Sequence, residues 1–396
     1  MSNSALSSRR FLIYLIGSTV SLHGLWIYRV ALGWFAWKLT GSEFWVGIVA
    51  FTQFAPAVVF GPLLGVFADR VDPRKASIVI NSLSALNMLL LGLLTWSGMV
   101  DIFVLTAQSL IQGGLDGAHT PVRMTLLPKL VEKVQLQSAI ASASITFNVS
   151  RLVGPAIAGV IIAMSGVGAA FAINGLSYLA IIAAVAVIKL RPGASRPNRS
   201  GDVWDELISG VRYTVAHKTI RGLLMTIAVA SVFGRGALEM MPAIADVVYQ
   251  RGAAGLATLT AAVGVGAIMS GLVLSQTTAW LNGNAVRLSV VTAGIFIAIF
   301  GINHEFWLAV PLVTVLGVTL SLCGVGSQIL IQTLVEEEVR GRVSSLWGMV
   351  AFGGTACGSL IVGSAAAAFG LQITVVASGI FCVAAASLIP KHKIPP

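Results

Sequence analysis

Twelve apolar runs divide this chain of 396 residues, and each is long enough to cross a lipid bilayer as a helix. A spanning helix needs about 20 apolar residues, because the bilayer interior offers no water to exposed backbone groups. Charged residues make up only 10% of the chain, against about 25% in a typical soluble domain. The sequence therefore predicts an all-α membrane protein with 12 transmembrane helices. The predicted spans are 11–38, 43–68, 75–97, 102–127, 138–165, 168–190, 219–246, 255–280, 285–303, 306–332, 343–368 and 371–390.

The lysines and arginines predict the orientation of these spans. With both termini cytoplasmic, 20 of the 25 basic residues fall in internal segments, while Lys38 and Arg251 fall outside. Basic residues concentrate on the cytoplasmic side of membrane proteins, so this asymmetry indicates that both termini are inside. We expect the bacterial cytoplasmic (inner) membrane as the location. The net charge of +10 is then explained by loops that face anionic lipid. We expect the lipid bilayer, and no nucleic acid, as a partner.

A polar segment at residues 191–218 separates two sets of six spans. Its first part is rich in proline and glycine, as in a linker. Its second part has the helical apolar spacing of an amphipathic helix on the inner membrane surface. The predicted domains are an N-terminal six-helix half, 1–190, this cytoplasmic linker, and a C-terminal six-helix half, 219–396. Paired halves of this kind are typical of transporters that use alternating access.

A short charged turn joins the second and third spans, in the sequence G-P-L-L-G-V-F-A-D-R-V-D-P-R-K. Its glycines allow close helix approach, and its first acid can accept hydrogen bonds from the N-terminus of a helix in the other half. The helix that begins near Arg342 is the expected partner. We therefore predict a conformational latch that closes the inner side, made by Gly61, Gly65, Asp69, Arg70, Arg74 and Lys75.

Charged side chains within the spans are costly unless they are paired or hydrated, so they are candidates for function. We expect Glu239 to pair with Arg29, with Arg235 or with both, as an outer gate and proton site. Asp116 has Arg151 as its expected partner. A static ion pair is the alternative for each pair. His23, Trp26 and His119 are candidates for lining a substrate cavity, whereas hydrogen bonding or packing is the alternative for His23.

The charged turn resembles the signature between spans two and three of the major facilitator superfamily. The segments R-L-V-G-P-A-I-A-G, F-A-I-N-G-L-S-Y and V-R-G-R-V-S-S-L-W-G are similar to those of its enterobactin-exporter-like, or transmembrane secretion effector, branch. The resemblance implies the major facilitator fold and proton-driven export of siderophores, drugs or similar small molecules. Two positions depart from the pattern: Asp72 replaces a glycine of the turn, and Ser109 replaces an arginine tied to proton coupling.

The fifth span resembles in part the motif of superfamily antiporters, through Gly154, Pro155 and Gly159. A proline in a span removes a helix hydrogen bond and permits a kink. The leading hypothesis is therefore a proton-coupled exporter of a small organic molecule. An importer or a lipid or lysolipid transporter of the same fold is the alternative, and a sensor or scaffold is a further one.

The sequence shows none of the motifs that would indicate an intramembrane enzyme: no paired-aspartate motif, no G-x-S-x-G and no H-E-x-x-H. We expect no enzymatic activity, no cofactor and no metal site. The three cysteines lack the spacing of metal ligands. A monomer is the default in the family. Specificity depends on side chains scattered over many spans, so the substrate cannot be named from the sequence.

Overall fold

The protein, described from a computed structural model, is helical throughout the ranges that the structure covers. These ranges are residues 4–190, 203–276 and 280–390, and within them the side chains at 62–70, 203–207, 337 and 338 are not described. The long helices are α1 (Arg9–Thr40), α2 (Glu43–Arg70), α3 (Pro73–Trp96), α4 (Ile102–Leu126), α5 (Leu136–Val187), α6 (Val203–Ala216), α7 (Lys218–Val229), α10 (Gly252–Gln276), α11 (Gly283–Ile302), α12 (Phe306–Leu334), α13 (Glu337–Phe369) and α14 (Leu371–Leu388), with the one-turn helices α8 (Gly236–Leu238) and α9 (Met241–Ala243) between α7 and α10.

Within the described ranges, ten helical segments are long and apolar enough to cross a membrane. One of them contains α5, which has a non-helical residue at Gly166, where φ is 79°. A left-handed backbone angle of this kind suits glycine, and it separates the predicted fifth and sixth spans. The helix α4 has 25 residues but is less apolar than the ten. The helix positions agree with the sequence analysis, while the count of twelve spans and the cytoplasmic termini stay predictions.

Short polar turns end these helices. The side chain of Asp101 accepts a hydrogen bond from the backbone N–H of Val104 at the start of α4, and Asn282 caps α11 in the same way. Such caps satisfy backbone donors that the first helical turn leaves unpaired. Gly41, with φ of 56°, ends α1 in the left-handed conformation. The turns fix where each helix starts and stops within the membrane.

The seventh segment, Lys218–Val248, is much less regular than the single helix that we predicted. Wider π-helical turns at Ala230–Arg235 and Ile244–Val248 interrupt it. Pro242 lies in the first turn of α9, where a missing N–H costs little. Turns of π-helix occur often at functional sites because they rotate the side chains that follow them. The first of these turns contains Arg235 and comes just before Glu239.

Packing within each half is extensive, and two helix pairs make the largest contacts between the halves in the described ranges. The helix α5 packs on α10, and α2 packs on α13. A methyl group at Gly47 would come within 2.5 Å of the carbonyl oxygen of Ser359, so only glycine permits this approach of α2 to α13. The hydroxyl of Ser359 also donates to the carbonyl of Gly47 at 3.3 Å. The two halves therefore meet along helices that approach backbone to backbone.

The linker prediction is described only from residue 203 onward, since residues 191–202 lie outside the described ranges. The predicted amphipathic helix is α6. Its side chains Ile208, Val211 and Val215 are exposed, as expected for an apolar face turned away from the rest of the protein. The division into two halves and a linker stays a prediction.

Candidate functional site

Five charged side chains from both halves come together in the structure, and we call them the charge cluster. They are Arg29 on α1, Asp116 on α4, Arg151 on α5, and Arg235 and Glu239 on the seventh segment. Arg29 interacts electrostatically with both acids and with Arg151, while Arg235 interacts with Glu239 and Arg151. All five side chains are half-buried. The structure thus assembles every residue that we had singled out as a charge within a span.

Trp26 forms a wall of the charge cluster. The guanidinium carbon of Arg29 lies 4.9 Å from the centre of its ring, and that of Arg151 lies 5.6 Å from it. Phe54 gives Arg29 a second aromatic face at 5.5 Å. A desolvated cation over an aromatic face gains about 2 kcal/mol. Trp26, which we had proposed as a cavity residue, therefore helps to hold two cations of like charge near each other.

Hydrogen bonding within the charge cluster is uneven. Asp116 accepts a hydrogen bond from the amide nitrogen of Gln112 at 3.0 Å. In contrast, Arg29, Arg151, Arg235 and Glu239 make no hydrogen bond and no ion pair within 4.0 Å to the side chains that the structure describes. Glu239 thus interacts with Arg29 and Arg235 over distances longer than those of an ion pair. The role of Glu239 as an outer gate stays a prediction.

The predicted partner of Asp116 was Arg151, but the arginine that interacts with Asp116 is Arg29. Ser109, one of the two departures from the superfamily pattern, supplies no arginine from α4. Its side chain is fully buried, and its hydroxyl donates to the carbonyl of Val49 on α2 at 3.1 Å. An arginine would not fit in this interface between α2 and α4. In this chain, α1 supplies the arginine next to Asp116.

The two candidate histidines, His23 and His119, take no part in the hydrogen bonds and aromatic contacts described for the charge cluster. The Nδ1 atom of His23 is 2.8 Å from the carbonyl oxygen of Thr19 and 3.1 Å from the hydroxyl of Ser150 on α5. His119 interacts electrostatically with Arg123 one turn further along α4. His23 therefore bridges two helices, which agrees with the packing alternative. A contact of either histidine with substrate stays a prediction.

The charged turn between α2 and α3 is described only in part, because Gly65 and the side chains of Asp69 and Arg70 lie at positions 62–70, outside the described set. Asp72 accepts a hydrogen bond from the backbone N–H of Arg74 at 2.8 Å, and Pro73 occupies the first helical position. Asp72 and Pro73 thus start α3 without the glycine that the superfamily uses here. Arg74 donates to the carbonyls of Val185 and Ala186 at the end of α5.

The other members of the predicted latch are Gly61 and Lys75. A methyl group at Gly61 would meet no described atom of a neighbouring helix within 4 Å, and Lys75 is exposed. Arg342, at the expected partner helix, donates to the hydroxyl of Ser209 on α6 at 3.0 Å. The latch stays a prediction.

The glycines of the fifth span serve helix packing. Gly154 touches the β-carbon of Trp26 on α1, and a methyl group at Gly159 would come within 2.5 Å of the β-carbon of Ala257 on α10. Backbone angles stay helical through Pro155, and Gly166 is the non-helical residue of α5. A kink at Pro155 stays a prediction. These glycines place Arg151 beside α1 and join the two halves.

One polar contact escaped the sequence analysis. The carboxylate of Asp246 accepts a hydrogen bond from the indole nitrogen of Trp37 at 2.8 Å and forms an ion pair with Lys38 at 4.0 Å. Both partners lie at the end of α1 next to Gly41, so this contact joins α1 to the seventh segment on the predicted outer side. Lys38 had stood out as a basic residue on the wrong side of the membrane. The position of Lys38 on the predicted outer side was the sequence signal that could have pointed to this contact.

Comparisons with known proteins agree with this architecture. A family model described as "Transmembrane secretion effector", of the major facilitator superfamily, matches residues 2–396. The chain is 25% identical to the staphyloferrin A transporter of Staphylococcus aureus (strain NCTC 8325 / PS 47), covering 90% of this chain and 89% of that protein. It is 24% identical to the multidrug efflux pump Tap of Mycolicibacterium fortuitum, covering 92% of this chain and 91% of that one.

The enterobactin exporter EntS of Escherichia coli O1:K1 / APEC is 25% identical, over 91% of this chain and 85% of that protein. Among solved structures, a bacterial homologue of the human lysosomal transporter Spinster, in an inward-facing and occupied conformation, superposes with a TM-score of 0.76. The identity there is 15%, with 95% of this chain and 94% of that chain covered, so this likeness shows the fold alone. The chain belongs to the transmembrane secretion effector family of major facilitator superfamily transporters and is a multi-pass membrane protein.

Proposed function

We propose that this protein exports a small organic molecule across a bacterial cytoplasmic membrane by alternating access, driven by protons. The observation that carries the proposal is the charge cluster, which both halves build from helices that are otherwise apolar. Charges in a membrane interior are retained where they bind a substrate or carry protons. The names of three relatives support this reading, since they are a siderophore transporter, a drug efflux pump and a siderophore exporter.

Contacts between the halves support alternating access. Gly33 packs against Pro242, Trp37 bonds Asp246, and Gly47 packs against Ser359, all toward the predicted outer side. Nearer the opposite ends of α2 and α13, an added methyl group at Gly61 or Gly348 would meet no described atom of a neighbouring helix within 4 Å. We take this arrangement as a state closed to the outside. The latch around Asp69 would then close the inner side in the opposite state.

Asp116 and Glu239 are the proposed proton carriers. A carboxyl group carries a proton reversibly only if its charged and neutral forms are close in free energy. Burial favours the neutral form, whereas Arg29 beside both acids, and Arg235 beside Glu239, favour the charged one. These opposing effects suit a proton carrier. Glu239 is the stronger candidate because it makes no hydrogen bond to the described side chains.

The experiment uses the full chain in everted membrane vesicles, with a fluorescent pH probe and a panel of siderophores and drugs. We expect at least one compound to dissipate an imposed proton gradient, and Glu239→Gln to abolish this response. The matched control is Glu305→Gln, which removes an equal charge at an exposed site outside the spans. Unchanged proton-coupled transport in Glu239→Gln would refute the coupling role. Inward movement of substrate in whole cells would identify an importer instead.

A further inference from the structure

The charge cluster contains more positive than negative charge. Three arginines face two acids, so the cluster holds one excess positive charge with both acids ionised. The other titratable side chains that interact with the cluster within the described ranges are Tyr28, Tyr178 and Cys323, which are neutral when protonated. An excess cation in a low-dielectric interior is unfavourable unless an anion or water compensates it.

Hydrogen-bond donors around Trp26 lack acceptors. The Nε atom of Arg29 and the indole Nε1 atom of Trp26 are both buried without a hydrogen-bond partner among the described groups. Trp26 itself is only 9% exposed. A buried donor without an acceptor costs free energy, and the cost is larger for a charged donor. Both atoms can only donate, so each of them lacks a hydrogen-bond acceptor such as an oxygen atom.

The uncompensated positive charge and the donors without acceptors lie at the same place. Arg29 and Arg151 lie over the same indole ring, and the unpaired indole nitrogen belongs to that ring. Guanidinium groups offer donors in a planar fork that matches carboxylates and similar oxyanions. A cationic ligand at this position would meet three arginines. An anionic ligand would supply both the missing charge and the missing acceptors.

From this geometry we propose that the transported molecule is an organic anion, bound through oxyanion groups by Arg29 and Arg151 beside the indole N–H of Trp26. This substrate class rests on the proposed transport function, and it separates acidic siderophore-like compounds from cationic drugs. Asp116 and Glu239 compete with the anion for the arginines. Neutralising either acid should therefore strengthen anion binding, an effect opposite in sign to that of removing an arginine.

The test compares two dyes with the same xanthene ring system and opposite charge, carboxyfluorescein and rhodamine 123. Their binding to the purified full chain in a neutral detergent is followed by fluorescence anisotropy. We expect carboxyfluorescein to bind at least about tenfold more tightly, since one charge-assisted hydrogen bond contributes roughly that factor. Arg29→Gln and Arg151→Gln should each weaken its binding about tenfold, and Glu239→Gln should strengthen it.

The matched control is Arg251→Gln, which removes the same charge outside the charge cluster, where Arg251 lies over Phe306. Its carboxyfluorescein binding should equal that of the wild type. Two outcomes would overturn the inference: rhodamine 123 binding as tightly as carboxyfluorescein, or Arg251→Gln losing as much affinity as Arg29→Gln. A variant that merely misfolds cannot produce the tighter binding expected of Glu239→Gln.

The same dyes in transport assays separate this inference from the proposed function. Export of rhodamine 123 without a preference for carboxyfluorescein would refute the anion inference and leave the transporter proposal standing. Tight carboxyfluorescein binding, with no transport of any compound in the vesicle panel, would support the anion site and refute the transporter proposal.

Discussion

Two acidic side chains on the seventh segment, Glu239 and Asp246, lie seven residues apart and have opposite surroundings. Asp246 has its charge satisfied by Trp37 and Lys38 at the predicted outer end of α1. Glu239 lies among arginines without a hydrogen bond to any described side chain. A satisfied carboxylate holds two helices together, whereas an unsatisfied one is free to exchange a proton. The difference separates an acid that joins α1 to the seventh segment from the acid that we propose for transport.

The largest expected effect concerns Glu239. We expect Glu239→Gln to abolish proton-coupled transport while the thermal unfolding temperature changes little, because no hydrogen bond to described residues is lost. Transport is measured in everted vesicles, and unfolding is measured on the purified protein. A large drop in unfolding temperature would instead make Glu239 a structural residue and remove the contrast with Asp246.

Asp246→Ala should act on conformation. The substitution removes a charge-assisted hydrogen bond and an ion pair, together about 2–3 kcal/mol, which favours opening of the predicted outer side. Nitroxide labels at Leu39 and Arg251, on exposed positions of the two halves, allow the distance to be measured by electron spin resonance. We expect the distribution to extend to longer distances. An unaltered distribution would show that Asp246 does not keep this side closed.

Trp37→Phe isolates the hydrogen bond from the ion pair. The indole of Trp37 is 7% exposed and donates to Asp246 over 2.8 Å, so its loss should cost about 1.5–2 kcal/mol. The spin-label distance distribution should shift in the same direction as in Asp246→Ala, but less. An effect equal to that of Asp246→Ala would mean that the ring, through its packing, contributes as much as the acid.

Lys38→Gln should have the smallest effect. Its side chain is 54% exposed and its nitrogen lies 4.0 Å from the carboxylate, a geometry that contributes roughly 0–1 kcal/mol. We expect a change in unfolding temperature near the limit of detection, further reduced by high salt. A salt-sensitive loss as large as that of Trp37→Phe would contradict this ranking of the two contacts.

Apolar run length was enough to predict the helices, since predicted and observed helix ends mostly differ by a few residues. The five members of the charge cluster were found for a related reason: a charge inside an apolar run stands out. Which charges meet could not be predicted. The partner of Asp116 depends on helix rotation and on the close contact of Ser109 with α2. The π-helical turns of the seventh segment likewise arise from tertiary packing and leave no periodic signal.

Asp246 was missed for a different reason. Near a helix end, an acid is an ordinary surface residue in sequence, and only its contact with Trp37 on another helix shows its role. The turn at Asp72 illustrates the reverse. Its sequence departs from the superfamily pattern, yet the local chemistry of an aspartate cap followed by proline explains the structure. Local rules therefore predicted helix ends well, and contacts between distant helices needed the structure.

The low hydropathy of α4 affects how this helix enters the membrane during synthesis. Gln112 and Asp116 make it less apolar than the ten other segments, and a charged residue at a span centre opposes insertion by about 2.5–3.5 kcal/mol. Its polar groups find partners on neighbouring helices: Asn87 of α3 donates to Gln112, and Ser109 bonds α2. During synthesis, α4 should therefore remain at the translocon until α2 and α3 are in the bilayer. Its integration should fail in chains that lack α2 and α3.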